Sequence, residues 1–169
     1  YLDNILKPQI IWDVTKYLNV WITDKNNALS YTGVSSVPPL SGLMGVPNNS
    51  TDSTDGIWCF AKVIGSNNLF PNGIYGSPLV EGRTLTHEVG HYLGLRHIWG
   101  DATCGSDLVN DTPPHNGANN GCPVNKVSTC VGGNVIEMTE NYMDYTDGSC
   151  QNMFSLGQNV RIQATINST

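Results

Sequence analysis

The chain is poor in charge, and poorest in positive charge. Only 13% of its 169 residues are charged, and 14 acidic side chains outnumber 8 basic ones. No cluster of lysine or arginine occurs, so the concentrated positive field that nucleic acid requires is missing. No apolar run approaches the roughly 20 residues of a membrane-spanning helix. No leader with a charged start and an apolar centre is visible, so the numbering is expected to begin after processing or at a trimmed boundary. Repeats and linker-like tracts are absent as well. One domain, long enough to bury a proper core, is what the length allows. Asn, Ser, Thr and Gly are plentiful, which suits a loop-rich extracellular protein.

Against this bland background one stretch stands out, Thr86-His87-Glu88-Val89-Gly90-His91-Tyr92-Leu93-Gly94-Leu95-Arg96-His97. Residues four apart share a helix face, so His87 and His91 can aim two ring nitrogens at one ion. Gly94 stands where the helix must stop, because glycine accepts the left-handed conformation that ends helices. The chain then turns and returns His97 as a third ligand. Three neutral imidazoles leave a fourth position for water, the mark of a catalytic zinc site. Glu88 sits too close to its neighbours to share the metal but can reach that water, so its expected role is general base and then proton donor to the leaving amine. An ordinary helix with incidental histidines is the alternative, and the fixed positions of Gly94 and His97 weigh against it. The chemistry so implied is metal-assisted peptide hydrolysis.

The same spacing resembles the zinc signature of the metzincins, which expects a methionine turn downstream. That turn is found in Asn141-Tyr142-Met143-Asp144-Tyr145. By resemblance, Met143 is the apolar floor beneath the histidines and Tyr145 stabilises the oxyanion through its hydroxyl. Trp99-Gly100-Asp101 and Asp111-Thr112-Pro113 make the chain look like the pappalysin branch. The fold implied is α+β: a metzincin-type zinc protease domain with an upper mixed, twisted sheet and active-site helix (residues 1–94), and a lower loop-rich subdomain with a C-terminal helix (residues 95–169). The resemblance implies a secreted zinc endopeptidase, acting as a monomer on protein or peptide substrates held extended along an edge strand, for which Asn27 to Val34 is the candidate. The family begins with a further strand and a long helix, whereas only Tyr1 to Asp13 precede the first strand here, so either the start is trimmed or the chain departs from the family there.

Four cysteines, Cys104, Cys122, Cys130 and Cys150, lie beyond the zinc motif and allow three pairings. A second zinc site is a poorer reading because no C-x-x-C pair exists. The resemblance favours Cys104 with Cys130 and Cys122 with Cys150. Cys59, between Trp58 and Phe60, reads as a buried free thiol; its other reading is a partner for a prosegment cysteine. Calcium is a second expected cofactor. Asp107 to Thr112 offers the hard oxygen ligands that calcium prefers, pappalysin-like enzymes carry calcium in this region, and Asp107 and Thr112 are its first candidates. The same side chains also suit turn-capping hydrogen bonds. Asp101 is expected to order the loop behind His97 or to hydrogen-bond a ligating imidazole.

Strands are expected at Tyr17 to Thr23, Ala28 to Val34 and Gly56 to Ile64. The zinc helix opens at Ser77-Pro78 or nearer Arg83. A closing helix covers Ser155 to Asn167, with Leu156, Val160, Ile162 and Ile166 as its apolar positions. The resemblance puts the pocket for the residue after the scissile bond along Asp144 to Gln151. Relatives that prefer basic residues there carry an acidic side chain just before the cysteine; this chain has Ser149 at that point and Asp147 two residues earlier, so the preference stays open. A catalytically silent binding module and a purely structural calcium- and disulfide-stabilised domain are the competing functions. The first would require a damaged Glu88 or ligand set, and neither is damaged.

Overall fold

The computed structural model describes residues 1–25, 30–37, 44–45, 51–72 and 81–168. A π-helical turn, Leu2–Leu6, runs into the short helix α1, Lys7–Ile10, with Pro8 near its start, where a missing N–H costs nothing. Three strands follow: β1, Val20–Thr23; β2, Gly33–Ser35; and β3, Ile57–Phe60. They form one sheet in the order β1-β3-β2. β1 runs parallel to β3, from Val20 opposite Ile57 to Thr23 opposite Phe60, and β2 runs antiparallel, with Gly33 opposite Cys59. Central β3 buries three consecutive residues, Ile57, Trp58 and Cys59, as a strand covered on both faces does. The Trp58 indole donates to Thr23 Oγ1 at 2.7 Å, which satisfies its N–H inside the sheet.

All three expected strands are shorter than their patterns. Tyr17 to Asn19 is not strand, because the Asn19 side chain bridges both backbone groups of Trp12 and folds residues 12–19 into a loop. Beyond Phe60 the chain tightens into a 3₁₀ turn, Ala61–Val63, that buries Val63. Of the strand expected from Ala28 to Val34, residues 28 and 29 lie outside the described part, as does the Ser77-Pro78 helix start, and residues 30–32 are not strand. The zinc-motif helix, α2, spans Arg83–Tyr92 and begins after Gly82 in a left-handed conformation.

The lower half contains little regular structure until α3, Leu156–Ser168. Its small core is Leu95, Ile98, Trp99 and Met143, with Met138, Phe154 and Ile162 packed against it. Disulfides Cys104–Cys130 and Cys122–Cys150 span it. In a chain-entropy account, closing loops of this size contributes about 3–4 kcal/mol each.

The apolar periodicity expected for α3 is wrong in three of four positions. Ile162 faces the core, whereas Leu156, Val160 and Ile166 are exposed and the buried residues are Gln158 and Thr165. Gln158 exchanges amide hydrogen bonds with buried Asn141, at 2.7 and 3.1 Å, so its burial costs no unsatisfied group. Thr165 packs against Gly94, where any Cβ would lie 2.4 Å from its Oγ1. Polar side chains that satisfy one another thus occupy the face that periodicity reserves for aliphatic ones.

Asp111 anchors this helix. Its carboxylate accepts the Ser155 hydroxyl and the Gly157 N–H, both at 2.8 Å, and Ser155 Oγ in turn accepts the Gln158 N–H. The Gly157 bond holds the Asp111 carboxyl below its ordinary value of 3.8. Asp111→Ala is expected to destabilise the protein by about 1 kcal/mol near neutral pH, the usual loss of a helix cap. Because the folded pKa is depressed, the stabilisation is present above 3.8 and disappears as pH falls through the folded value. Thermal melts of both proteins across that window check it; a difference that does not shrink in acid would contradict the ionised cap.

Candidate active site

α2 carries His87 and His91 one turn apart, with ring centroids 4.6 Å from each other. The helix stops where the Gly94 N–H bonds to the His91 carbonyl and Gly94 takes φ +84°. The chain reverses there and returns His97, whose ring stacks on Trp99 at 4.3 Å. One ligand nitrogen from each of His87, His91 and His97 lies within 4.8 Å of the others, and among the described residues no other three His, Cys, Asp or Glu side chains gather so.

The Nδ1 atoms explain the convergence. His87 Nδ1 donates to the Tyr142 carbonyl at 2.6 Å, His91 Nδ1 to the Leu95 carbonyl at 2.9 Å, and His97 Nδ1 to Asp101 Oδ1 at 2.5 Å. Each bond fixes the tautomer that leaves Nε2 as a lone pair. His91 and His97 then face each other with Nε2 atoms 3.1 Å apart. Two lone pairs so close repel unless a cation lies between them, so the donor set fits a metal ion. Burial, with repulsion from the neighbouring imidazoles, depresses His87 well below its ordinary value and His91 to about 4, which keeps both neutral. Asp101 thus does both things expected of it: it bonds His97 and takes part in the turn behind it, near Arg96 at 3.6 Å.

Glu88 is buried beside the triad, and burial raises its carboxyl to about 8. Its side chain lies against Gly33 of β2, where an added Cβ would sit 2.4 Å from Oε1. Only glycine allows strand and carboxylate this approach. Cys59 is buried and unpaired on β3, its thiol pushed up to about 12 by burial and by Glu88, so it stays a neutral thiol. Met143 is fully buried beneath α2; a Cβ on Gly90, in the turn between the two helical histidines, would approach Met143 Sδ to 2.4 Å. Tyr145 is half-exposed, its ring 4.9 Å from His97 and 4.7 Å from Trp99. Burial, then the charge of Glu88, raises its hydroxyl above the ordinary value.

Of these groups, His87, Glu88, His97 and Tyr145 line a cleft of about 490 Å³. Ser30, Tyr31, Thr32 and Gly33 form one wall, leading into β2, an edge strand. Thr146, Gly148, Gln151 and Asn120 form the other. Neither Asp147 nor Ser149 lines it. Asp147 is tied through its backbone to Gly121 and Cys150, and exposed Ser149 lies against Cys122. Asn27 to Leu29, the start of the expected substrate edge, lie outside the described residues.

The calcium candidates are engaged with each other. Thr112 Oγ1 lies 2.9 Å from both Asp107 carboxylate oxygens, both residues are buried, and Asp107 Oδ1 accepts the Val109 N–H. This is the turn-capping arrangement. The fourth histidine does not join the triad. His115 is fully buried, accepts the Met138 N–H on Nε2, and turns Nδ1 to Asp144 and Glu137 at 3.5 and 3.8 Å. Burial works against the Asp144 charge, yet bonds from His115, Asn119 and the Tyr145 N–H hold its carboxyl below the ordinary value. Sequence reasoning passed over this network, as it did Arg83, Asn120 and the Tyr142 and Leu95 carbonyls; no spacing rule marks them.

A peptidase family described as Pregnancy-associated plasma protein-A matches residues 3–167. An extracellular metalloprotease of Verticillium alfalfae is 36% identical over 153 residues, covering 90% of this chain and 48% of that protein. One of Arthroderma otae is 38% identical over 136 residues, covering 75% and 47%. Among solved structures, Tannerella forsythia mature mirolysin in complex with a cleaved peptide superposes with a TM-score of 0.72 at 37% identity, covering 90% of this chain and 53% of that one. A Tannerella forsythia promirolysin mutant gives 0.77 at 34%, covering 93% and 48%. The chain spans about half the length of these relatives. The α+β fold is the one these structures share.

Removing the Asp101 carboxylate should leave His97 free to rotate and change tautomer. Asp101→Ala is expected to weaken divalent-metal binding by about 10–100-fold, the usual effect of losing such a partner. Competition against a chromophoric chelator measures it, and an unchanged affinity would exclude Asp101 from holding the ligand.

Proposed function

The chain belongs to the Pregnancy-associated plasma protein-A family of peptidases, and from that membership and the cleft's geometry we propose that it is the catalytic domain of a secreted zinc endopeptidase. Family membership implies a metal; three imidazoles with no thiolate or carboxylate suit zinc, and His87, His91 and His97 would hold it. The observation that carries the proposal is that all three Nδ1 atoms are tied down, so three Nε2 lone pairs converge beside a buried carboxyl at the floor of a cleft. The extracellular metalloproteases among the relatives, and the two disulfides, support secretion.

Bound zinc supplies a Lewis acid that polarises the scissile carbonyl and acidifies water. The remaining work falls to side chains. Glu88 takes the proton from the attacking water and delivers it to the leaving amine; its raised proton affinity and its seat beside the triad support that shuttle. Tyr145, kept protonated by burial, donates to the oxygen on which charge develops. Met143 holds the histidines from below. Substrate lies extended along β2. Thr32 O and Ser36 N–H bond to β3, so by strand alternation the Gly33 N–H and C=O face the free edge, where a peptide can add as a further strand. The domain acts as a monomer on protein or peptide substrates, with residues 1–94 above the cleft and 95–169 below it.

Zinc-loaded protein is expected to cleave an unfolded protein substrate, and a chelator should abolish the cleavage. Glu88→Gln should keep zinc and lose turnover; full activity in that variant would remove Glu88 from the mechanism. Tyr145→Phe should lower kcat more than it raises KM, and equal effects on both would argue for a ground-state role. Intact, zinc-loaded protein that cleaves nothing would favour a binding module.

Calcium at Asp107 and Thr112 is a separate part of the proposal. The family resemblance and the buried oxygen ligands support it, although the side chains already bond each other. Millimolar calcium is expected to raise the melting temperature of wild type and not of Asp107→Asn. No shift in wild type would leave this loop as a hydrogen-bonded turn.

A further inference from the structure

Resting on the proposed peptidase reading, we propose that Arg83 gives the cleft a carboxylate-recognition site, so that the enzyme selects an acidic side chain at the position after the scissile bond. Arg83 opens α2 one turn before His87 and, with Thr84, lines the same cleft as Gly148 and Gln151. Its guanidinium lies over the Tyr142 ring at 5.5 Å, which steadies the plane without using the N–H groups. Among the described residues it makes no ion pair, and its Nε–H is buried and meets no acceptor. The first turn of α2 contains no acidic residue to neutralise it. A buried donor without an acceptor costs free energy that a ligand oxygen would recover.

The rest of the cleft agrees in sign. Besides Glu88, at the reacting centre, the only carboxylate among the described lining residues is Asp144, and that one is saturated. Asp144 is 1% exposed and accepts from the Asn119 backbone at 2.9 Å, the Asn119 side chain at 2.8 Å and the Tyr145 N–H at 2.8 Å, with His115 at 3.5 Å. Asp147 and Ser149 do not line the cleft, so among the described lining residues of this wall no unpaired carboxylate awaits a lysine or arginine. Among the described lining residues the charge left to be matched is positive, and a guanidinium fixed in plane presents two N–H groups in the spacing of a carboxylate.

A carboxylate can arrive as a Glu side chain or as the free terminus of a short substrate, and two peptide pairs separate these sources. The first pair carries Glu or Gln after the scissile bond in a longer, C-terminally amidated peptide. The second ends one residue after that bond with a carboxylate or an amide. The readout is the ratio of kcat/KM within each pair, which is independent of how much enzyme is folded. Wild type is expected to favour Glu over Gln by about tenfold or more, the scale of a charge-assisted hydrogen bond. Arg83→Gln should bring the ratio to about 1, and Arg83→Lys should retain part of it. A preference seen only in the second pair would assign the site to chain termini.

The same peptides are titrated by fluorescence anisotropy into zinc-loaded Glu88→Gln protein, with and without the Arg83 changes. If wild type cleaves nothing, the peptidase reading fails, and this binding ratio still decides for or against Arg83. Ratios near 1 in wild type, a preference for Lys or Arg at that position, or a Glu preference that survives Arg83→Gln would each overturn the proposal.

Discussion

The 2.6 Å bond from His87 Nδ1 to the Tyr142 carbonyl is the constraint on which the site depends. His87 belongs to a helix packed against the sheet, and Tyr142 to a turn 55 residues later. One hydrogen bond across that distance fixes a tautomer, fixes a ring plane and sets the height of the turn beneath the helix. The turn is held from its other side by α3, since Asn141 pairs with Gln158 and also accepts the Met143 N–H. Met143 fills the space left by Gly90, and its carbonyl accepts the Ile98 N–H next to the third histidine. Helix, turn and closing helix therefore brace one another through single polar contacts in a region with a small apolar core.

What was legible in the sequence was what local geometry controls. His87, His91, Gly94 and His97 obey helical spacing and a glycine stop, whereas Met143 and Tyr145 lie far along the chain and are legible only through the family resemblance. What was not legible depends on pairings distant along the chain. Gln158 looks like a surface residue until Asn141 is placed opposite it. Asp111 looks like one more polar residue of a loop until the start of α3 arrives beside it. Tyr17 to Asn19 alternates like a strand, yet the Asn19 amide captures Trp12 first. In each case a polar side chain found a backbone or amide partner that no periodicity describes.

The two walls of the cleft are built on different principles. The upper one is backbone: a three-residue edge strand whose side chains matter mainly by their absence at Gly33. The lower one is a polar network, in which His115, Asp144, Glu137, Asn119 and Lys126 lock loops with almost no strand or helix between them. Such a network is stable only when every member is satisfied. That makes the lower wall less tolerant of single substitutions than its irregular backbone would suggest.

The order of the bridged cysteines carries one more consequence. Cys104 joins Cys130 across Cys122, and Cys122 joins Cys150 across Cys130, so the two covalent loops interleave. Neither loop can be completed as an independent hairpin, and pairing nearest neighbours yields a different, wrongly threaded chain. The segment from Cys104 to Cys150 must therefore be sorted as one piece during oxidation. The floor of the cleft inherits that sorting step: with shuffled bridges the loops that form its lower wall are not brought together.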